Sequence, residues 1–341
     1  MNMQSAHENP LRLAIVGSGA IAEQAHIPAT ERIEVVRLVG LVDSDLEHAR
    51  AVASRYGIPR AAADLDELVG EVDAVILATP PHVRGALACR ALKHGLHVLC
   101  EKPMANSSAE CRKIIEAARS ARRVLAVGHN YRFFPNRAHA WSLYRSGRLG
   151  RMISVNVEQG EPFGSSSRTF YTLRKELVPG GVLFNEGVHV LDLFFWWFGE
   201  PESFDYQDDS LGGLESNVRL TLNYRGGGVA SYRLSRTCFL SNSVDMRFEK
   251  GTLAFPLYDM AALTLGLDRQ SGRLSLHTKP WDFVESAALQ LEDFASAALD
   301  ERPPLVDGEA GLAVVGFIES CYQRAARRSR SEKTPVSGLT W

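Results

Sequence analysis

Leu11 to Ala22 reads LRLAIVGSGAIA, an almost uninterrupted apolar run that passes directly into a glycine-rich turn. A run apolar on both faces suits a strand of a parallel sheet covered by helices on each side. After it, Gly17 permits a tight turn, Gly19 lets the backbone come close to a pyrophosphate, and Ala22 is small enough for a helix to pack closely. The same spacing occurs in ordinary turns that bind nothing. Its setting is what gives this one meaning: it follows a strand and opens a helix, so Gly17, Gly19, Ala20 and Ile21 fall where an anion is favoured.

Working outward, the apolar runs EVVRLVGLVD, DAVILAT, LHVLCEK and VLAVG repeat the strand signal as far as about Asn130. Between them, DLEHARAVASRYG and HVRGALACRALKHG have helical spacing and stop at Gly57 and Gly95, residues suited to ending helices. In SSAE, Ser107 and Glu110 stand as a capping box ahead of another helix. This alternation predicts an α/β fold, with a doubly wound Rossmann sheet over 1–130. Beyond it, a helix near Asn136 to Ser146 precedes alternating runs such as MISVNVEQ, NVRLTLNY, VASYRLSR and VDMRFEKGTLAFP. NYRGGGVASY reads as a hairpin, and helices near Ser286 to Asp300 and Gly308 to Arg327 flank the breaker ERPP. Residues 131–341 are therefore expected to form a second, α+β domain on a mostly antiparallel sheet.

Length and charge narrow the function. A chain of 341 residues exceeds what one core comfortably serves, and 38 Lys and Arg against 40 Asp and Glu leave no field to gather nucleic acid or an anionic membrane. The five cysteines show no metal or redox spacing and read as buried, reduced thiols; no metal site is expected. MNMQSAHENP lacks the pattern of a secretory signal, and VLDLFFWWFG is half the ~20 residues a bilayer span needs, so a cytoplasmic protein is expected.

Three places carry chemistry. Asp43 lies 24 residues after Gly19, near the offset of the carboxylate that binds an adenosine ribose and repels a 2′-phosphate, which favours NAD over NADP. Either it or Asp45 also suits the cap of the next helix. CEKP places Glu101 and Lys102 at the carboxyl end of a strand, where open α/β sheets bind ligands, although most lysines are simply surface groups. Finally, if PGGVLFNEGVHVLDLFFWWFG is helical, Asn185 and His189 stand one turn apart, roughly 6 Å along the axis, with Asp192 near the same face. A lone histidine there would be a core residue; one flanked by amide and carboxylate is a candidate site.

Taken in order, GSGAIA, TPPH (Thr79 to His82), CEKPMA and GGVLFNEGVHVLDL resemble the glucose-fructose oxidoreductase / inositol dehydrogenase (Gfo/Idh/MocA) family, and RPPLVDGEAGLAVVGFIESCY resembles its closing segment. The resemblance implies an NAD-dependent oxidoreductase acting on a CH–OH carbon of a sugar, cyclitol or nucleotide sugar. It also implies an open second sheet whose exposed face makes a homodimer or homotetramer. Thr79, Pro80, His82 and Glu101 would then border the cofactor, and Lys102 and His189 would meet the reacting hydroxyl; Tyr131, Arg132, Arg168 and Tyr171, aromatic and cationic residues in segments flanking the expected cleft, are candidates for contacts to substrate together with Asp192. The family commonly has aspartate where this chain has Asn185, which offers hydrogen bonds without charge; some members that act on nucleotide sugars are similar to this chain in carrying Asn there. Glu186 is adjacent, but one residue along an α-helix turns it about 100° away. Two other outcomes stay open: NAD-assisted glycoside cleavage, and a non-catalytic NAD-binding sensor.

Overall fold

In a computed structural model that describes residues 9–162, 170–211, 213–267, 270–275 and 282–331, the first apolar run is β1 (Leu11–Val16). β2 (Val36–Val42), β3 (Arg60–Ala62), β4 (Ala74–Leu77), β5 (His97–Cys100) and β6 (Leu125–Val127) join it in parallel, in the spatial order β3-β2-β1-β4-β5-β6. The order reverses between β1 and β4, and in such sheets the ligand crevice opens outside the carboxyl ends at that point. Of these strands only β3 is not anticipated by an apolar run, being a short and partly exposed RAA edge.

The connecting helices follow local rules. A π-helical turn (Ala22–His26) runs into α1 (Ile27–Thr30), followed by α2 (Leu46–Tyr56), α3 (Pro81–Lys93) and α4 (Ser108–Ala121). Asp45 caps α2 by accepting the His48 N–H, and Gly57 ends it at φ 65°. Ser107 caps α4 through the Glu110 N–H at 3.2 Å, but Glu110 reaches back to the Asn106 N–H at 3.1 Å instead of to Ser107, so the expected capping box is shifted by one residue.

The second sheet begins after α5 (Pro135–Arg145). Its strands are β7 (Met152–Gly160), β8 (Ser203–Asp208), β9 (Asn217–Asn223), β10 (Val229–Ser235), β11 (Ser243–Phe248), β12 (Gly251–Pro256), β13 (Ala262–Leu267) and β14 (Gln270–Ser275). They lie in the order β14-β13-β12-β11-β7-β10-β9-β8, antiparallel except for the β7/β10 pair. The β9–β10 hairpin turns through Gly226 and Gly227 at φ 91° and 89°, as NYRGGGVASY predicts. Alternation sorts the faces: Val155, Val157, Leu220, Leu222, Tyr232, Leu234, Val244 and Met246 are buried, while Ser154, Asn156, Arg219, Ser231, Asp245 and Arg247 are exposed. A π-helical turn (Leu183–Gly187) and α6 (Val188–Phe198) cover the buried face, where the Phe194 and Tyr232 rings meet edge-on at 6.2 Å.

α7 (Phe283–Leu299) and the start of α8 (Gly308–Ser331) return to the first sheet. The chain divides into one compact unit of residues 1–130, 166–171 and 283–315 and a second of 131–165, 172–282 and 316–341. Leu291 and Phe294 of α7, fully buried, pack into the cluster of Leu13, Ile15 and Ile27. Among the described residues no helix is long and apolar enough to cross a membrane. None of the five cysteines forms a disulfide; Cys100, Cys111 and Cys321 are buried as expected, whereas Cys89 and Cys238 are only partly so.

Candidate active site

In the first unit, the turn after β1 passes beside the end of β4. Gly17 sits at φ 100°, and a Cβ there would lie 2.8 Å from the Ala78 carbonyl oxygen, so glycine is required twice over. At Gly19 an added Cβ would meet nothing within 4 Å: the space above the turn is open. Ala20 and Ile21 open the helical turn, where the first amides lack intrahelical acceptors. Asp43, at the end of β2, accepts from the Ser18 N–H at 2.8 Å and hydroxyl at 2.7 Å, and from the Asp45 N–H at 3.0 Å. Burial alone would raise its pKa, but these bonds and nearby His48 hold it below the usual carboxylate range. Open glycine, free-ended amides and a fixed carboxylate fit an adenine dinucleotide.

At the tip of β5, Glu101 is gripped from several sides. Its Oε1 lies 2.9 Å from His26 Nε2, and its Oε2 accepts the Lys102 N–H at 3.0 Å. Burial pushes Glu101 up, yet His26, Lys102 and Arg84 bring it down to about 2. Arg84, buried in α3, donates to the carbonyls of Glu101 (2.7 Å), Pro103 and Thr79. One guanidinium thus stitches Thr79 and Pro80 to the segment bearing Lys102, whose bond to Pro103 is cis. His82 begins the same helix, its ring 6.4 Å from that of Tyr171. All ten expected cofactor residues therefore belong to turns and helix starts at the carboxyl ends of the strands in this sheet.

In the second unit, the helix through Asn185 and His189 departs from the expected α-helix, because Leu183–Gly187 winds as a π-helical turn. Between Gly181 and Phe194 only Asn185, Glu186 and His189 are not fully buried. Glu186, expected to point away, accepts from Asn185 Nδ2 at 2.8 Å. His189 is stacked on Tyr131, ring centres 4.5 Å apart and planes 18° from parallel. Arg132 and Asp192, expected against substrate, instead face each other: Nε to Oδ2 is 2.8 Å and Nη2 to Oδ1 is 2.6 Å, with Asp192 wholly buried. That fork ties the turn carrying Tyr131 to the helix carrying His189. Tyr131 itself is 6% exposed. Arg168 lies outside the described residues.

The start of this helix is held by Glu215, whose carboxylate accepts from the Gly181 N–H (2.6 Å), the Leu183 N–H (3.0 Å) and the Tyr322 hydroxyl (2.8 Å). Burial nonetheless raises its pKa. A side chain on Gly180 or Gly181 would collide with Tyr322 or the Glu215 backbone. A cavity of about 410 Å³ adjoins this corner, lined in part by Lys175, Glu215, Ser216 and Arg236.

Two family models match successive parts of the chain: "Oxidoreductase family, NAD-binding Rossmann fold" over residues 11–129 and "GFO/IDH/MocA C-terminal domain" over 138–254. The chain belongs to the GFO/IDH/MocA oxidoreductase family. Among its relatives are the D-glucoside 3-dehydrogenase of Escherichia coli K12, 24% identical with 95% of this chain and 98% of that protein covered, and an inositol 2-dehydrogenase of Rhizobium meliloti, 25% identical with 96% and 99% covered. The crystal structure of aldose-aldose oxidoreductase from Caulobacter crescentus complexed with glycerol superposes with a TM-score of 0.86 at 28% identity, over 94% of this chain and 99% of that one.

As a GFO/IDH/MocA oxidoreductase, the chain holds its motif residues with others that its sequence did not announce. His26, Arg84, Glu215 and Tyr322 are four of these. A fifth is Arg137, fully buried with its guanidinium carbon 4.2 Å over Tyr131, 4.3 Å over Phe134 and 5.3 Å over Phe255. Burial lowers its pKa to about 10, so it remains a cation behind the Tyr131–His189 stack. The signal missed was charge in an apolar setting: Arg84 within HVRGALACRALK and His26 within the first helix both interrupt otherwise small or apolar faces.

Proposed function

We propose that the chain is an NAD-dependent dehydrogenase that moves a hydride between the nicotinamide and a hydroxyl-bearing carbon of a sugar, cyclitol or nucleotide sugar. The observation that carries this reading is the lysine at the tip of β5: Lys102 follows Glu101, whose carboxylate is held by His26 and the Lys102 N–H and whose backbone carbonyl is held by Arg84, at the carboxyl end of the sheet. The relatives named as dehydrogenases of glucosides and inositol support the substrate class. When bound, the nicotinamide supplies the acceptor for the two electrons that leave the substrate carbon.

The chain's own residues do the rest. Gly17, Gly19, Ala20 and Ile21 seat the pyrophosphate, Asp43 accepts from the ribose hydroxyls, and Thr79, Pro80, His82 and Glu101 border the nicotinamide end. His189 takes the hydroxyl proton on a ring nitrogen while Tyr131 keeps the imidazole in plane. Lys102 donates to the oxygen as negative charge develops on it. Asn185 orients the acceptor side, and Tyr171 and Arg168 are candidates for contacts to the remaining hydroxyls.

NADH formation across a panel of inositols, aldoses and nucleotide sugars tests the proposal; at least one should reduce NAD, and NADP should serve less well. Release of an aglycone with no net NADH would favour redox-assisted glycoside cleavage instead. Tight cofactor binding with no turnover on any member would favour a sensor.

A further inference from the structure

Four residues before His189 stands a neutral amide, Asn185, and the carboxylate of Glu186 lies beside it. Asn185 Nδ2 donates to Glu186 Oε1 at 2.8 Å, within the π-helical turn that immediately precedes α6. Fixing Nδ2 on a carboxylate also fixes Oδ1, the amide's acceptor, and a bond to a charged partner polarises the amide further. Among the described residues Glu186 forms no ion pair with a cation, so its charge is not spent elsewhere.

We propose that Glu186 is a positioning residue for the proton taken up by His189: it fixes the Asn185 amide and adds a negative charge near the Tyr131–His189 stack. The inference rests on His189 being the proton acceptor.

The other charges around His189 make the case for this anion. Tyr131 stacks on the imidazole, and burial pushes its phenol up to about 12, so it is neutral at working pH; Arg137 opposes that shift, while Glu186 and Tyr258 add to it. Arg137 lies 4.2 Å from the Tyr131 ring centre and the imidazole 4.5 Å, too close for both to share one face. Arg137 therefore stands behind the phenol, within about 9 Å of the histidine, where a cation disfavours the imidazolium. Asp192, three residues on, is neutralised by Arg132. Asp259 acts on Arg137 and also accepts the N–H groups of Ala261 and Ala262. Of the carboxylates named, Glu186 is the one left to favour protonated His189.

The test is the titration of His189 in the full-length, ligand-free protein, followed by NMR on labelled histidine and assigned by the signal lost in His189→Ala. Glu186→Gln should lower the imidazole pKa by roughly half to one pH unit. In the double variant Asn185→Asp/Glu186→Gln, which moves the carboxylate to the family's position, the titration should return toward that of the parent. An unmoved titration in folded Glu186→Gln overturns the proposal. Failure of the underlying reading looks different: full turnover in His189→Ala, whatever the titration does, removes His189 from the chemistry and this inference with it.

Discussion

At the scale of single residues, the proposed roles separate groups that would meet the substrate from groups that hold them. His189 is half-buried and stacked on Tyr131. Replacing it by alanine should abolish turnover and leave NAD affinity nearly unchanged, since none of the proposed cofactor contacts involves it; calorimetric titration alongside the rate assay checks both. Asp43→Ala should erode the preference for NAD over NADP by roughly tenfold, equivalent to about 1.4 kcal/mol. Comparing the two cofactor affinities decides it, and an unchanged ratio would mean that Asp43 serves only the Ser18 turn. Asp43, Lys102 and His189 were legible because each sits inside a short motif. His26 was not: its partner Glu101 is 75 residues away, and nothing local to either residue reports a contact made only by folding.

At the scale of elements, α6 and β5 each hold ionisable groups in buried surroundings. α6 is apolar along nearly its whole length, yet it carries Asp192 in full burial, paired with Arg132. Removing one partner leaves a buried charge uncompensated, so Asp192→Ala should cost about 3–5 kcal/mol in denaturant unfolding. β5 is sensitive to acid at both ends. His97, at its start, is held near 4 by burial first and by Arg123 second, against an ordinary 6.5, while its Nδ1 accepts the Val124 N–H. The unfolded chain binds that proton more readily than the folded one. The stability it contributes is complete above about pH 6.5 and falls as pH drops toward 4. Glu101, lowered to about 2, extends the loss from about pH 4.5 downward. His97→Gln should flatten the upper part of this decline in unfolding curves taken from pH 7 to 4, and an unaltered slope would contradict the assignment. Most strands were readable from composition and length, because β1, β2, β4, β5 and β6 are short, mostly apolar runs. The π-helical turn at Leu183–Gly187 was not, since its apolar pattern differs little from that of an α-helix. Within that turn Glu186 accepts the Asn185 amide instead of turning away from it.

At the scale of the molecule, the open second sheet presents a polar outer face. Arg219 lies directly opposite Arg233, and Glu158 is 3.9 Å from Arg233 on the other side. Like charges across a strand pair are unfavourable alone, so a homodimer or homotetramer formed through this face would rest on polar contacts. Light scattering is expected to show such an assembly loosening as salt rises; a monomer at every concentration would contradict it. The division near residue 130 follows from where the strand pattern changes, but the return of residues 283–315 to the first unit does not, because helical spacing says which face is buried and not against what.

The central claim is that the substrate carbon delivers its hydrogen directly to the cofactor. The most direct measurement is mass spectrometry of the cofactor after turnover with a reactive polyol deuterated at its CH–OH carbons. The account predicts deuterium in the NADH, matched by oxidised sugar and absent with His189→Ala. Unlabelled NADH, or label recovered only in a cleaved sugar with the cofactor unchanged, would contradict it.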